Sequence, residues 1–125
     1  MELMLRTLAD GIAHYGREAY LLTIAEDGPH TSNVVIDLHD GLISCALGSS
    51  AAKNISRQAR VSLFWPPAEP NGYAMFFNGN AVGALQPTGV TLAQITITKA
   101  VLHRPGPRPD DSNSPCASDC RRLSL

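Results

Sequence analysis

Between Gly48 and Arg60 the chain reads Gly-Ser-Ser-Ala-Ala-Lys-Asn-Ile-Ser-Arg-Gln-Ala-Arg, its densest gathering of residue types suited to chemistry. Ser49 and Ser50 stand where a helix should begin. A helix start offers unpaired N–H groups and the positive end of the dipole to an anion. Ser50, Lys53 and Arg57 are spaced i, i+3 and i+7, so they share one helical face. No acidic residue occurs between Asp40 and Glu69, whereas Lys53, Arg57 and Arg60 all do. Such a cationic stretch, in a chain of formal net charge −1, suits a phosphate. A solvated basic face with serine caps would use the same residues, and the sequence alone leaves both readings open.

Other reactive side chains are more scattered. His30 and His39 flank turns and read as exposed turn residues. No serine sits in a Gly-x-Ser-x-Gly setting and nothing pairs a nucleophile with a base, which disfavours hydrolysis. Cys45 reads as a buried small hydrophobe. Trp65 and Tyr73 suit either a pocket wall or packing, and Met75-Phe76-Phe77 suits core or dimer interface. Cys116-x-x-x-Cys120 invites a metal or disulfide reading with His103 as a third ligand. A closed zinc site wants four ligands and no fourth stands nearby, so no metal site is predicted.

The elements that position these residues follow from periodicity and turn chemistry. Leu5, Leu8 and Ile12 form the stripe of a short helix stopped at Gly16. Strands are predicted over 19–25, 30–37 and 42–47, an antiparallel meander turning at Asp27-Gly28 and His39-Asp40-Gly41. A helix over 51–58 should pack Ala52, Ile55 and Ala59 inward. Further strands cover 60–65, 73–85 and 91–102. Asn78-Gly79-Asn80 suggests a bulge or close backbone approach, and Ile95, Ile97 and Val101 share one side. The result is a mainly β fold, a small closed or partly closed barrel of about six antiparallel strands with one or two short helices. Residues 1–104 form the predicted domain. Pro105, Pro107 and Pro109 open a Pro/Ser-rich tail over 105–125 that is expected to be disordered and dispensable for stability.

Composition bounds the function. At 125 residues, 44% apolar and 17% charged, the chain is neither a disordered polymer nor a coiled coil. Its near-neutral charge and 6% aromatic content argue against nucleic acid or an anionic membrane as partner. No signal-peptide pattern or membrane-length apolar run is seen, and three cysteines make no disulfide framework. A cytoplasmic setting is expected.

From Ala19 to Leu102 the order of these elements resembles the pyridoxamine 5′-phosphate oxidase-like proteins, which are FMN-binding split β-barrels. The most specific part is Ser49 to Leu63, with Asn54-Ile55 and Arg60-Val-Ser-Leu63 in register. Phe64-Trp65-Pro66 and Gly79-Asn-Ala-Val82 add to it. The resemblance implies a homodimer with FMN at the subunit interface. It places phosphate contacts at Ser49, Ser50, Lys53 and Arg57, and the flavin ring along Thr31, Ser32, Asn33 and Val34, with Ser44 and Cys45 near the phosphate. Related proteins use F420 or haem instead. Departures are visible: Ala51 stands where the family often has lysine, and Pro67-Ala-Glu-Pro70 lacks the family's substrate-binding arginine. Oxidation of pyridoxamine phosphate is therefore not expected. A flavin-dependent oxidoreductase for another small-molecule substrate is, with an F420-dependent reductase or a non-catalytic flavin- or haem-binding protein as the alternative.

Overall fold

Residues 5–125 are described by a computed structural model. Their elements run α1 (Leu8–Tyr15), β1 (Glu18–Ala25), β2 (Gly28–Val35), β3 (Asp37–His39), β4 (Leu42–Leu47), α2 (Ser49–Arg57), β5 (Arg60–Trp65), β6 (Ala74–Leu85), β7 (Thr91–Pro107) and β8 (Ser118–Arg122). Alternation builds the core. Leu21 and Thr23, Val61 and Leu63, Met75 and Phe77, and Ile95 and Ile97 all point to one side of their strands and are buried. Trp65 packs on Phe77, with ring centroids 4.7 Å apart, and donates its indole N–H to Gly16 O at 2.9 Å.

The strand order β2-β1-β5-β6-β7-β4-β3 makes one antiparallel sheet, with β8 added to β7. Its two ends, β2 and β3, are separated in sequence by Ile36 alone. The sheet must therefore curl until its ends meet, and it does so without a hydrogen-bonded ladder between them. This is a split barrel, mainly β, with two helices. Ile36 is fully buried at the meeting point, and Arg17 grips it there. Ile36 N–H donates to Arg17 O at 2.9 Å, Arg17 Nε donates to Ile36 O at 3.0 Å, and the Arg17 guanidinium pairs with Asp37.

The six predicted strands are present, with two more. β3 is too short to show a pattern in sequence. It pairs with β4 through a turn whose Asp40 and Gly41 have φ of 50° and 79°, the paired left-handed conformation of a tight hairpin. The predicted meander is corrected here. β2 returns along β1 as expected, but β4 ladders with the first half of β7 instead of with β2.

The tail expectation is overturned. β7 continues past residue 104 to Pro107, and β8 pairs with its second half. A few anchors suffice where the average composition of 105–125 suggests none. Cys120 and Leu123 are buried. The Leu123 N–H donates to Ala100 O at 2.9 Å, and Ser124 exchanges backbone bonds of 2.8 Å with Arg6 and Leu8. Buried Asp119 accepts from Tyr73 Oη at 2.9 Å and pairs with Arg104, whose guanidinium lies 4.3 Å from the centre of the Tyr73 ring.

Two smaller corrections concern facing. α2 begins at Ser49 and buries Ala51, Asn54 and Ile55, while Ala52 is half-buried and Ala59 exposed. The rotation places Asn54 where its Nδ2 donates to buried Thr23 Oγ1 at 3.0 Å. Val101 faces outward, unlike Ile95 and Ile97, because the β6–β7 register shifts at Asn78/Gly79, where the predicted bulge stands. A Cβ on Gly79 would lie 2.3 Å from Thr96 O, the close backbone approach that requires glycine there.

Candidate functional site

The start of α2 forms the first part of the site. Gly48 is its cap residue, and neither Ser49 nor Ser50 provides the predicted side-chain cap. The first-turn N–H groups consequently lack side-chain partners, and no acidic residue stands among them. Ser49, Ser50 and Lys53 are exposed there, and among the described residues Lys53 makes no ion pair. Arg57 shares their face but bonds Glu26 on the β1–β2 turn at 2.6 Å. The predicted phosphate set is thus gathered on one helix, with its arginine already engaged.

β2 forms the second part. It is an edge strand, so the backbone groups on its outer side are free of a ladder. Thr31 and Asn33 are exposed, Ser32 is half-buried facing the interior, and Val34 lies in the core. The predicted ring bed is therefore divided by the pleat: only Thr31 and Asn33 present side chains outward. Ser32 Oγ and His30 Nδ1 are buried without a hydrogen-bond partner. His30, expected to be an exposed turn residue, sits opposite Thr23 within β2. Exposed His39 pairs with Asp40. Asn33 borders a hollow of 460 Å³ that it shares with Tyr20, Val35 and Pro66.

Ser44 lies on a third element. It is half-buried on the outer side of β4, opposite Asp37 and Gln94. Its neighbour Cys45 is buried as expected, and burial pushes its thiol up to about 11, away from a reactive thiolate.

Residues outside the predicted set shape the remaining outer face. Tyr20, Phe64, Phe76 and His103 form a row across β1, β5, β6 and β7, with successive ring centroids 6.1, 4.9 and 6.5 Å apart. Beside it lies a hollow of 590 Å³ bordered by Ile24, Arg60, Ser62, Asn78, Asn80 and Thr98. Its volume lies within the range of small-molecule sites. Ser62 Oγ donates to Asn78 Oδ1 across it at 2.8 Å. The signal for these residues was present: Arg60, Ser62 and Phe64, and Phe76, Asn78 and Asn80, are spaced by two on the faces opposite the core. Trp65 and Tyr73 wall neither hollow; both are buried.

The residues present fit a phosphate-bearing flavin in kind. The uncapped helix start and Lys53 suit its phosphate. The open edge of β2 suits the polar rim of its ring.

No family profile matches the chain. Two uncharacterized proteins, from Mycobacterium bovis and Mycobacterium tuberculosis, are each 30% identical over 103 residues, covering 79% of this chain and 68% of theirs. Among solved structures, one from Clostridium acetobutylicum is described as related to general stress protein 26 and of the pyridoxinephosphate oxidase family. It is similar at a TM-score of 0.59, with 13% identity, over 77% of this chain and 85% of its own. An F420 reductase is similar at 0.62, with 11% identity, over 80% and 98%. A heme-binding protein from Mycobacterium smegmatis is similar at 0.54, with 16% identity, over 73% and 50%. Relatedness in sequence places the chain in one family with the two mycobacterial proteins, and its fold is the split barrel seen in solved structures described as pyridoxinephosphate oxidase-like.

Proposed function

We propose that this protein binds FMN as a homodimer and serves as a flavin-dependent oxidoreductase for a small-molecule substrate in the cytoplasm. The observation that carries this reading is the start of α2, an uncapped and acid-free helix N-terminus with Lys53 on its open face. Ser49, Ser50 and Lys53 hold the phosphate. Arg57, oriented by Glu26, adds positive potential. Thr31, Asn33 and the edge backbone of β2, that of Ser32 included, orient the ring, with Ser44 as a further contact. When bound, the flavin supplies hydride transfer. The chain's own residues bind it, fix its orientation and exclude water, and no general acid or base is assigned to them. The row of exposed Tyr20, half-buried Phe64 and exposed Phe76 gives a second copy an apolar surface to cover. Three free cysteines are compatible with a reducing cytosol.

F420 or haem is the second reading, either for catalysis or for binding alone, and it is favoured by the F420 reductase and the heme-binding protein of the same fold. Titration of the full chain with FMN, F420 and haem, followed by visible absorption, decides among them. Turnover of the bound group with NADPH or another hydride donor then separates an enzyme from a binder. Lys53→Ala combined with Arg57→Ala should weaken FMN binding at least about tenfold, since the charge-assisted hydrogen bond from Lys53 alone contributes roughly 1.5–3 kcal/mol. Both side chains are exposed, so the thermal transition should hardly move. Unchanged FMN affinity in that variant overturns the phosphate assignment.

A further inference from the structure

The segment that closes onto β7 brings together two thiols and an imidazole that the flavin reading leaves unused. His103 on β7 and Cys120 on β8 are direct cross-strand partners, which sets their side chains on one face. Cys116 precedes Cys120 by four residues in the segment leading into β8. The ligand atoms of all three lie within 4.8 Å of one another. His103 Nδ1 and Cys120 Sγ are 3.0 Å apart.

From these distances we propose that His103, Cys116 and Cys120 form a binding site for a thiophilic divalent cation, Zn²⁺, with one coordination position left open. Zinc–ligand bonds of about 2.0–2.1 Å to nitrogen and about 2.3 Å to sulfur, at tetrahedral angles, require nitrogen–sulfur separations of roughly 3.6 Å and a sulfur–sulfur separation of roughly 3.8 Å. The side chains are already near those spacings, so a cation entering between them needs only a small opening of the His103–Cys120 contact. Each cysteine releases its proton to water as it coordinates, and the neutral imidazole keeps its Nε2 proton. Two thiolates and one cation leave no net charge to bury. Among the described residues the cluster holds three such donors, so a water or an external ligand completes the set. His103 also ends the outer aromatic row, 6.5 Å from Phe76, so the cluster adjoins the face described above. The missing fourth protein ligand does not exclude such a site. Three protein ligands plus an exchangeable one is itself a zinc arrangement.

The test uses the full chain, reduced and freed of metal by a chelator that is then removed. Zn²⁺ should bind at one equivalent in competition with a chromogenic indicator. Co²⁺ should give a thiolate-to-metal charge-transfer band and the intense visible bands of a tetrahedral centre. Zn²⁺ should also shield Cys116 and Cys120 from a thiol reagent, and chelator should expose them again. Cys116→Ser, at a half-exposed position, should weaken binding at least about a hundredfold, the upper end of what loss of a mere outer-shell partner costs. Its metal-free thermal transition should match the parent's. His103→Gln should do the same to the metal affinity. A reduced parent chain that takes up no stoichiometric Zn²⁺ overturns the proposal. So does a Cys116→Ser chain that binds as the parent does, or shielding that only oxidation to a Cys116–Cys120 disulfide produces. None of these readouts depends on a bound flavin.

Discussion

Ending the chain after Pro107 is expected to lower the thermal transition by at least about 12 °C. The lost segment carries buried Leu123, whose Cδ1 lies against the Gly11 backbone of α1, and buried Cys120. Truncating one buried leucine alone costs about 2–5 kcal/mol. Removing Asp119 also strips Tyr73 of the acceptor for its buried hydroxyl and Arg104 of its counter-ion. An unsatisfied buried hydroxyl costs about 1–3 kcal/mol. The Arg104 pair adds less, because its guanidinium is partly in water. A total of roughly 4 kcal/mol or more is a firm lower expectation, and in a chain of this size each kcal/mol moves the transition by about 3–5 °C. Leu123→Ala should account for about half of the shift. Calorimetry or circular dichroism on both variants checks this. A truncated chain that melts within about 3 °C of the parent would mean that β8 contributes nothing to the barrel.

Gly79→Ala should be still more damaging per atom added. The new methyl would stand 2.3 Å from Thr96 O and 3.2 Å from Ile97 Cα, both backbone, so no rotamer change can relieve it. The strands must part at the bulge that joins β6 to β7, in the middle of the sheet. Overpacking by one methyl group costs about 1–3 kcal/mol where side chains can yield. Here they cannot, and the expected loss is about 3 kcal/mol or more, or failure to accumulate as soluble protein. Gly83→Ala, four residues on in the same strand, is the control. Its methyl would meet only Thr91 Cγ2 at 3.2 Å, and its stability should change by less than about 1 kcal/mol. Equal behaviour of the two variants would show that the bulge is not tightly closed.

Most strands were legible because one side of each is buried and the alternation survives into sequence. The Asn78-Gly79-Asn80 bulge was legible for a different reason: a glycine between polar residues has little other purpose in a strand. The outward turn of Val101 was not foreseen, although it follows from that same bulge, because one extra residue exchanges the faces beyond it. The tail was misjudged since composition averages over a segment. A strand added to an existing edge needs only a few anchors, here Asp119, Cys120 and Leu123. In the site, the helix carrying Ser49, Ser50 and Lys53 was readable from charge and spacing. The inward facing of Ser32 and Val34 depends on the pleat of β2 against β1, a pairing register that local sequence does not encode.

Because Ile36 is the only residue between β2 and β3, the two margins of the barrel are tethered like the two sides of a clasp. Tension applied at one margin reaches the other through a single pair of peptide bonds. A ligand that grips the open edge of β2 therefore also restrains β3, and through it the outer side of β4 where Ser44 stands. Slowed amide exchange on cofactor binding should accordingly extend from Thr31–Val34 to Leu38 and Ser44, across a seam that carries no hydrogen-bonded ladder.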